Sequence, residues 1–276
     1  MHHAGTSSSS TSAQGAPFTL GEAASIARYH IMLVAMAGMV TFSFLLTNRY
    51  QWGLSLVVAV DWFLINLMNR ITDIAEDLRN GIPGTERVAA QKRLLNALCA
   101  VVFVGSFGVT CMLWPELTAY RVAVQAIGAG YNYNIVPTPR FLRAGLHPPH
   151  KRGKSFMTFG RFKEMYFFKN FGSSVIFLLT CFCYPLAASH TPWTSAALFL
   201  VLFFLPFELT YEILYDLRDL EGDRAEGVPT YPVVHGPRAS TRIIDALLVL
   251  SLGALLAGIL LRILGSRQAP LLGGPI

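Results

Sequence analysis

Charged residues are scarce in this sequence. Of its 276 residues only 14% are charged and 53% are hydrophobic, whereas an ordinary soluble domain carries roughly 25% charged residues. So little charge argues against a soluble globule. The net charge of +6 is also a poor indication of nucleic-acid binding, because a basic groove needs a large soluble face to lie on. The composition therefore predicts an integral membrane protein with no nucleic-acid partner.

Cysteine is rare as well, and there is no signal for secretion. The four cysteines lie within apolar stretches, which excludes a disulfide framework and a CxxC zinc site and favours small core side chains: Cys99, Cys111, Cys181 and Cys183. Residues 1–27 contain a serine run and lack the basic start and cleavage site of a signal peptide. We expect 1–27 to be a disordered polar tail, and 28–276 to form one membrane domain.

Long apolar segments are what the sequence has in abundance. A bilayer core of about 30 Å requires about 20 helical residues, and seven segments approach that length: 29–47, 52–70, 94–114, 117–136, 165–187, 193–214 and 241–264. The fourth is interrupted by polar residues, among them Arg121 and Gln125. Because a lipid-embedded backbone must satisfy its own hydrogen bonds, the predicted fold is an all-α polytopic bundle of transmembrane helices.

The distribution of basic residues predicts the orientation of these helices. Eighteen of the 22 Lys and Arg residues fall in the N-terminal region or in the connections after the second, fourth and sixth segments. By the positive-inside rule that side faces the cytoplasm. We therefore expect a cytoplasmic N terminus, an external C terminus after seven crossings, and functional groups on the cytoplasmic face.

Acidic residues are concentrated in two short windows at helix ends on that side. Nine of the 16 acids lie there: Asp73, Glu76, Asp77, Glu212, Asp216, Asp219, Glu221, Asp223 and Glu226. In the first window Asn69, Asp73 and Asp77 recur every four residues and share one helical face. In the second, steps of four, three and four keep Glu212 to Asp223 on one side. Clustered carboxylates repel one another, so a positive group is expected to face them.

Magnesium with a phosphate-bearing substrate would explain both the acids and the basic loops. Mg²⁺ is typically held by one or two carboxylates together with substrate phosphates, and Lys or Arg can hold the remaining phosphate oxygens. Two simpler explanations stay open: the acids could only cap helices and pair with neighbouring bases, or they could form a proton relay inside the membrane. A proton relay would usually lie deeper than these helix ends.

Two motifs in these windows resemble those of a known family. Residues 69–77 read Asn-Arg-Ile-Thr-Asp-Ile-Ala-Glu-Asp, and residues 219–223 read Asp-Leu-Glu-Gly-Asp. They are similar to the NxxxDxxxD and DxxxD motifs of the UbiA superfamily of membrane-embedded prenyltransferases, which end a second and a sixth transmembrane helix. Residues 230–233, Thr-Tyr-Pro-Val, resemble the continuation of the second motif. The resemblance covers residues 28 to about 260.

The resemblance implies Mg²⁺ as cofactor, and a prenyl diphosphate and a lipophilic acceptor as substrates. It implies metal and diphosphate ligands at Asn69, Asp73, Asp77, Asp219 and Asp223, to which we add Asp216 from the same helical face. Arg28 and Lys169 resemble basic positions that face the diphosphate. Arg224 follows the second motif, and Arg79 is a candidate by proximity only. Glu212 resembles an acid that orients or deprotonates the acceptor, and with Lys169 it forms the predicted catalytic pair.

Aromatic residues near the acidic ends could stabilise a carbocation by cation–π attraction: Trp62, Tyr131, Tyr211 and Tyr215. Plain packing or an interfacial aromatic belt is the simpler explanation for each of them.

The family typically has nine spans and seven are predicted here. The chain is therefore expected to be either a shortened member or an incomplete protein, and the enclosure of the substrate is the property that this difference affects most.

The predicted function is a Mg²⁺-dependent integral-membrane prenyltransferase that moves an isoprenyl group to an aromatic or otherwise lipophilic acceptor, without an obligatory protein partner. Two alternatives stay open. One is a UbiA-type terpene cyclase, which captures the carbocation intramolecularly. The other is a non-catalytic, degenerate membrane protein that binds isoprenoids. A CDP-alcohol phosphotransferase is disfavoured, because its DGxxAR motif is absent from the sequence.

Overall fold

The structure is a computed structural model that describes residues 20–139, 157–166 and 168–274. The described helices are α1 (Leu20–Ile26), α2 (Tyr29–Thr47), α3 (Trp52–Thr72), α4 (Ile74–Arg79), α5 (Thr85–Ala90), α6 (Lys92–Leu113), α7 (Thr118–Asn132), α8 (Phe168–Leu178), α9 (Tyr184–Ala188), α10 (Ser195–Arg218), α11 (Leu220–Glu226), α12 (Tyr231–His235) and α13 (Pro237–Leu260). A π-helical turn, Leu179–Cys183, joins α8 to α9.

Short pieces of other structure connect these helices. Strand β1 (Val136–Pro139) pairs antiparallel with β2 (Met157–Gly160), so that Val136 lies opposite Gly160. Single 3₁₀ turns cover Pro115–Leu117, Phe162–Glu164 and Ala269–Gly273. The basic and histidine-containing stretch 140–156 and residues 1–19 of the predicted tail lie outside the described residues.

The predicted all-α membrane bundle is confirmed. Within the described residues, six helical segments are long and apolar enough to cross a membrane: Tyr29–Thr47, Trp52–Thr72, Lys92–Leu113, Phe168–Ala188, Ser195–Arg218 and Pro237–Leu260. Each coincides with a predicted segment to within a few residues. Their outward faces are apolar and exposed, as on α6, where Val101, Val104 and Met112 point away from the protein. Lipid is the solvent that such faces require.

The predicted fourth span, 117–136, differs from the other six. It forms the 15-residue helix α7, which is not among the six because it is shorter and carries buried polar side chains. Arg121, Gln125 and Asn132 point into the bundle, where they find partners on α3. Helix α7 nevertheless runs from one end of the bundle to the other. Trp114, just before it, lies beside Gly53 at the start of α3, and Asn132 bonds Asn69 near the end of α3.

Residues 20–26, which were expected to belong to a disordered tail, are helical. Residues Leu20–Ile26 form helix α1, because Ile26 is buried against Leu67, Ile71 and Val88. The carbonyl oxygen of Ser25 also accepts a hydrogen bond from Arg70. A segment that contributes an apolar side chain to a core cluster gains enough burial to order its backbone.

Aromatic side chains fill the centre of the bundle. The ring centroid of Phe42 on α2 lies 4.3 Å from that of Phe182 and 5.0 Å from that of Phe204 on α10. Trp62 on α3 lies 4.4 Å from Phe177 on α8. All five side chains are buried. This packing fixes α2, α3, α8 and α10 relative to one another, and these helices carry the polar groups described next.

Candidate functional site

Both acidic motifs lie where a long helix breaks and a short one begins. Asp73 separates α3 from α4, and Asp219 separates α10 from α11, with nearly the same backbone angles (φ −101°, ψ 21° and φ −95°, ψ 10°). In each motif the carbonyl of the last acid, Asp77 or Asp223, accepts a hydrogen bond from the amide five residues later. The two motifs are therefore local structural repeats. We call the end of the bundle that carries them the motif end.

The first cluster of charges surrounds Asp73, whose side chain is buried. Its carboxylate lies 2.7 Å from Lys163 Nζ and 3.1 Å from Arg161 Nη1. It also accepts a hydrogen bond of 2.5 Å from Asn69, whose amide in turn contacts Asn132 on α7. Two of the predicted ligands, Asn69 and Asp73, are thus brought together. The third, Asp77, forms a buried ion pair with Arg70 at 2.8 Å.

The second cluster joins α8 to the second motif. Lys169 Nζ lies 3.0 Å from the carboxylate of Asp216 and 2.8 Å from that of Asp223. The neighbouring Asn170 donates a hydrogen bond of 2.7 Å to Asp216. Both carboxylates are buried, and burial raises the pKa of Asp223 above its usual value, while Lys169 opposes that change. Lys169, which was expected to face the diphosphate, therefore lies against two acids that were predicted as metal ligands.

The two clusters approach the same side chain, Tyr131 on α7. The charged groups that interact with the Tyr131 hydroxyl come from both sides: Lys169, Glu212, Asp73 and Arg28. These residues are far apart in sequence and therefore come together only at the motif end. We call Tyr131 and these four residues the Tyr131 cluster.

Arg28 joins the Tyr131 cluster from a strained position in the backbone. It lies between α1 and α2 with φ 49° and ψ 51°, a left-handed conformation that non-glycine residues seldom adopt. Burial and then the charge of Arg70 lower the pKa of Arg28, and Asp77 and Asp73 oppose this change. Because Arg28 is buried near a second cation, an additional anion would stabilise its charged guanidinium.

Three predicted site residues lie apart from the Tyr131 cluster. Asp219 is exposed and paired with Arg218 at 2.8 Å, and Arg79 and Arg224 are exposed on α4 and α11. The neighbouring acids Asp216 and Asp223 are buried instead. Among the aromatic candidates, Tyr131 belongs to the Tyr131 cluster and Trp62 is buried. Tyr211 and Tyr215 are exposed.

Several residues of the site were not identified from the sequence. In the sequence Lys163 and Arg161 counted only as basic loop residues, yet Lys163 is buried against Asp73. Asn170 on α8 binds Asp216, and Asn132 on α7 binds Asn69. An Asn or Lys beside a span is too common a feature to single out, although the polar interruptions of the fourth segment were a usable signal for Asn132.

Gly130 positions the segment that carries Arg161 and Lys163. A Cβ atom at Gly130 would lie 2.5 Å from the Phe162 ring and 3.1 Å from Val136. We expect Gly130→Ala to push Phe162 away, to weaken the contacts of its two basic neighbours with Asp73, and to cost about 1–3 kcal/mol of stability. Thermal unfolding in detergent measures the loss. Gly105→Ala on α6, where nothing lies within 4 Å, is the control and should leave the unfolding midpoint unchanged or slightly higher.

An all-oxygen set of Asp and Asn side chains, faced by Lys and Arg, defines a class of site suited to a hard divalent cation and a phosphate. Within the described ranges, no group of three or more His, Cys, Asp or Glu side chains forms a metal site by itself. Mg²⁺ takes few carboxylates and completes its shell with water and substrate phosphate, so the Asp and Asn side chains of the motif end fit this ion.

Comparison with known proteins agrees with this class. The model of the UbiA prenyltransferase family matches residues 158–274. The structure is similar to that of a UbiA homolog from Archaeoglobus fulgidus bound to DMAPP and Mg²⁺, with a TM-score of 0.64 and 14% identity over 87% of this chain and 78% of that one. It is also similar to a digeranylgeranylglyceryl phosphate synthase, with a TM-score of 0.59 and 18% identity over 92% and 82% of the two chains. No curated protein matches the chain.

The molecule is thus a multi-pass integral membrane protein with a helical bundle and a polar site at one end. Its residues 158–274 match the model of the UbiA prenyltransferase family, and its fold is similar to the folds of the two solved structures.

Proposed function

We propose that the protein is a Mg²⁺-dependent prenyltransferase that moves an isoprenyl group from its diphosphate to a lipophilic acceptor. The observation that carries the proposal is the Tyr131 cluster at the motif end, where Arg28 and Lys169 lie near carboxylates of both motifs. Carboxylates alone would repel a diphosphate, and cations alone would not hold a metal ion. The combination suits a magnesium diphosphate.

The carboxylates divide into two groups that could each take one side of the metal diphosphate. Asp73 and Asp77 of the first motif, Asp223 of the second and the nearby Asp216 would hold Mg²⁺, while Asn69 supports Asp73 and Asn170 supports Asp216. When bound, Mg²⁺ neutralises charge on the diphosphate and so makes it a better leaving group. The ligand role of Asp219 stays a prediction from the motif.

The residues of the chain have separate tasks in the transfer. Breaking the allylic carbon–oxygen bond leaves its electron pair on the diphosphate, where Arg28 and Lys169 stabilise the growing negative charge. The Tyr131 side chain borders the site of the carbocation. The acceptor then forms the new bond to carbon, and the proton that it loses goes to a carboxylate, for which Glu212 is positioned. The surrounding helices exclude water, which would otherwise capture the cation.

Purified protein in lipid nanodiscs tests the proposal. With Mg²⁺, a prenyl diphosphate and a panel of lipophilic hydroxyl-bearing acceptors, pyrophosphate release should depend on both the metal and the acceptor, and mass spectrometry should find a prenylated product. Removal of Mg²⁺ with EDTA should stop the release. A cyclic hydrocarbon or alcohol formed without any acceptor would instead establish the cyclase. Binding without turnover across the panel would favour the non-catalytic alternative.

Lys169 offers a more specific test of diphosphate binding. Lys169→Gln removes the charge that lies within 3.0 Å of two carboxylates, so we expect the KM for prenyl diphosphate to rise about 10- to 100-fold, since bonds to charged groups contribute about 1.5–3 kcal/mol. Lys169→Arg should retain most of the affinity. Lys92→Gln, at the exposed start of α6, is the matched control, and equal KM values for both glutamine variants would contradict the role of Lys169.

A further inference from the structure

Glu208 on α10 is a buried acid for which neither the motifs nor the ion pairs account. Its side chain is only 8% exposed, and no hydrogen bond or ion pair reaches its carboxylate from the described parts of the chain. The other buried acids of the bundle all have such partners, as Asp61, Asp73 and Asp216 show. A buried carboxylate without a partner is costly and is normally retained for a function.

The position of Glu208 follows from the aromatic rings at the centre of the bundle. The Phe177 ring lies 4.4 Å from Trp62 and 6.4 Å from Phe204, so α3, α8 and α10 share one level there. We call these three residues the aromatic floor. Helices α3 and α10 run towards the motif end, so a residue four positions after Trp62 or Phe204 lies one turn closer to that end. Those residues are Asn66 and Glu208.

Asn66 matches Glu208 in lacking a partner. The Asn66 side chain is 3% exposed, and its amide nitrogen makes no hydrogen bond. The indole nitrogen of Trp62, in the floor, is buried and unbonded as well. The level above the floor therefore has an unused donor on α3 and an unused acceptor on α10. Buried groups of this kind are the polar contacts expected in a binding pocket that is otherwise apolar.

Helix α10 connects this level with the proposed site of transfer. Glu212 lies one turn beyond Glu208 on α10, interacts with it electrostatically, and belongs to the Tyr131 cluster with Lys169 and Arg28. A flat molecule resting on the aromatic floor would thus have Glu208 at its edge and the proposed diphosphate site beyond Glu212.

We infer that Glu208 binds a hydroxyl group of the acceptor, and that the acceptor is an uncharged lipophilic phenol rather than a carboxylate or phosphate ester. The Glu208 carboxylate accepts the hydrogen bond, Asn66 donates to a second oxygen, and the floor takes the ring. In the described parts of the chain Glu208 has no cation beside it, and its charged neighbour is Glu212. An anionic acceptor would therefore lie beside two acids without a counter-ion, which is how a site rejects a close analogue. The inference rests on the proposed function for the identity of the ligand as an acceptor.

Equilibrium binding to the full chain in nanodiscs provides the test, because it does not require turnover. The probes are methylhydroquinone and gentisate, which differ by a methyl group and a carboxylate on the same ring. We expect wild-type protein to bind methylhydroquinone at least about tenfold more tightly than gentisate. Glu208→Leu should weaken methylhydroquinone binding at least about tenfold, and Glu208→Gln, which keeps an acceptor oxygen, should weaken it less and bind gentisate better.

Thermal unfolding of the same variants separates binding from a structural role. If Glu208 serves the ligand, Glu208→Leu removes an unpaired buried acid and should unfold at the same or a higher temperature while losing affinity. Unchanged methylhydroquinone affinity in Glu208→Leu, or tighter binding of gentisate by wild-type protein, would overturn the inference. Binding that depends on Glu208 without any prenyl transfer would refute the proposed function and leave this site standing. Prenyl transfer at an unchanged rate in the Glu208 variants would overturn this inference and leave the proposed function standing.

Discussion

Replacing Asp73 by Asn is expected to lower prenyl transfer at least about a hundredfold, the loss typical of removing one preorganised electrostatic contact from an active site. The substitution keeps the shape of the side chain and removes its charge. Lys163 and Arg161, 2.7 and 3.1 Å away, would then compete for the diphosphate without an acid to orient them. The substitution would also remove the Asp73 carboxylate, which is one of the proposed magnesium ligands. Initial rates of pyrophosphate release at saturating prenyl diphosphate measure the effect.

Asp245→Asn is the matched control for this substitution. Asp245 is exposed on α13 and belongs to neither motif, so its neutralisation should leave the rate unchanged. In Asp73→Asn we further expect the Mg²⁺ concentration for half-maximal activity to rise. Full turnover with an unshifted Mg²⁺ response would show that the diphosphate binds elsewhere and that the site is wrongly assigned.

The second large effect concerns stability and a different part of the bundle. Arg121 on α7 and Asp61 on α3 are completely buried and form an ion pair of 2.5 Å. Asp61 also accepts hydrogen bonds from Gln125 at 2.9 Å and from Tyr184 at 2.8 Å. Arg121→Met leaves the Asp61 charge without its cation, so we expect a loss of about 3–5 kcal/mol of stability.

Unfolding of the purified protein by a denaturing detergent or by heat measures this loss. Because a buried pair can often be replaced as a unit at little cost, Arg121→Met combined with Asp61→Leu should recover much of the stability that the single change removes. Arg218→Met, at the exposed pair with Asp219, should shift the midpoint little. An Arg121→Met protein as stable as the wild type would mean that the pair does not hold α7 in place.

How far the sequence predicts this molecule depends on the range of the interactions involved. The six long spans were predictable because hydropathy over about 20 residues depends on each segment alone. Helix α7 was harder to predict, since Arg121, Gln125 and Asn132 are tolerable only because α3 supplies their partners. Helix α1 was not predicted, because the burial of Ile26 depends on Leu67, Ile71 and Val88, which lie far along the chain.

The candidate site shows the same division. The spacing of Asn69, Asp73 and Asp77 indicates a shared helical face from local geometry alone. It does not indicate that Lys163, 90 residues further on, would lie against Asp73. It also does not reveal that Asp219 is exposed, since exposure depends on how α10 and α11 pack against the other helices.

The sequence by itself therefore determined that this is a membrane protein, which segments are apolar enough to span, and that two acidic motifs end two of its helices. Composition and periodicity are local properties, and they suffice for these conclusions. Only the tertiary structure decided which cations face which acids, that Arg28, Tyr131, Lys169 and Glu212 lie together at the motif end, and that Glu208 has no polar partner among the described residues. Pairing and burial are relations between distant residues, and packing of the helices around the aromatic core brings those residues together.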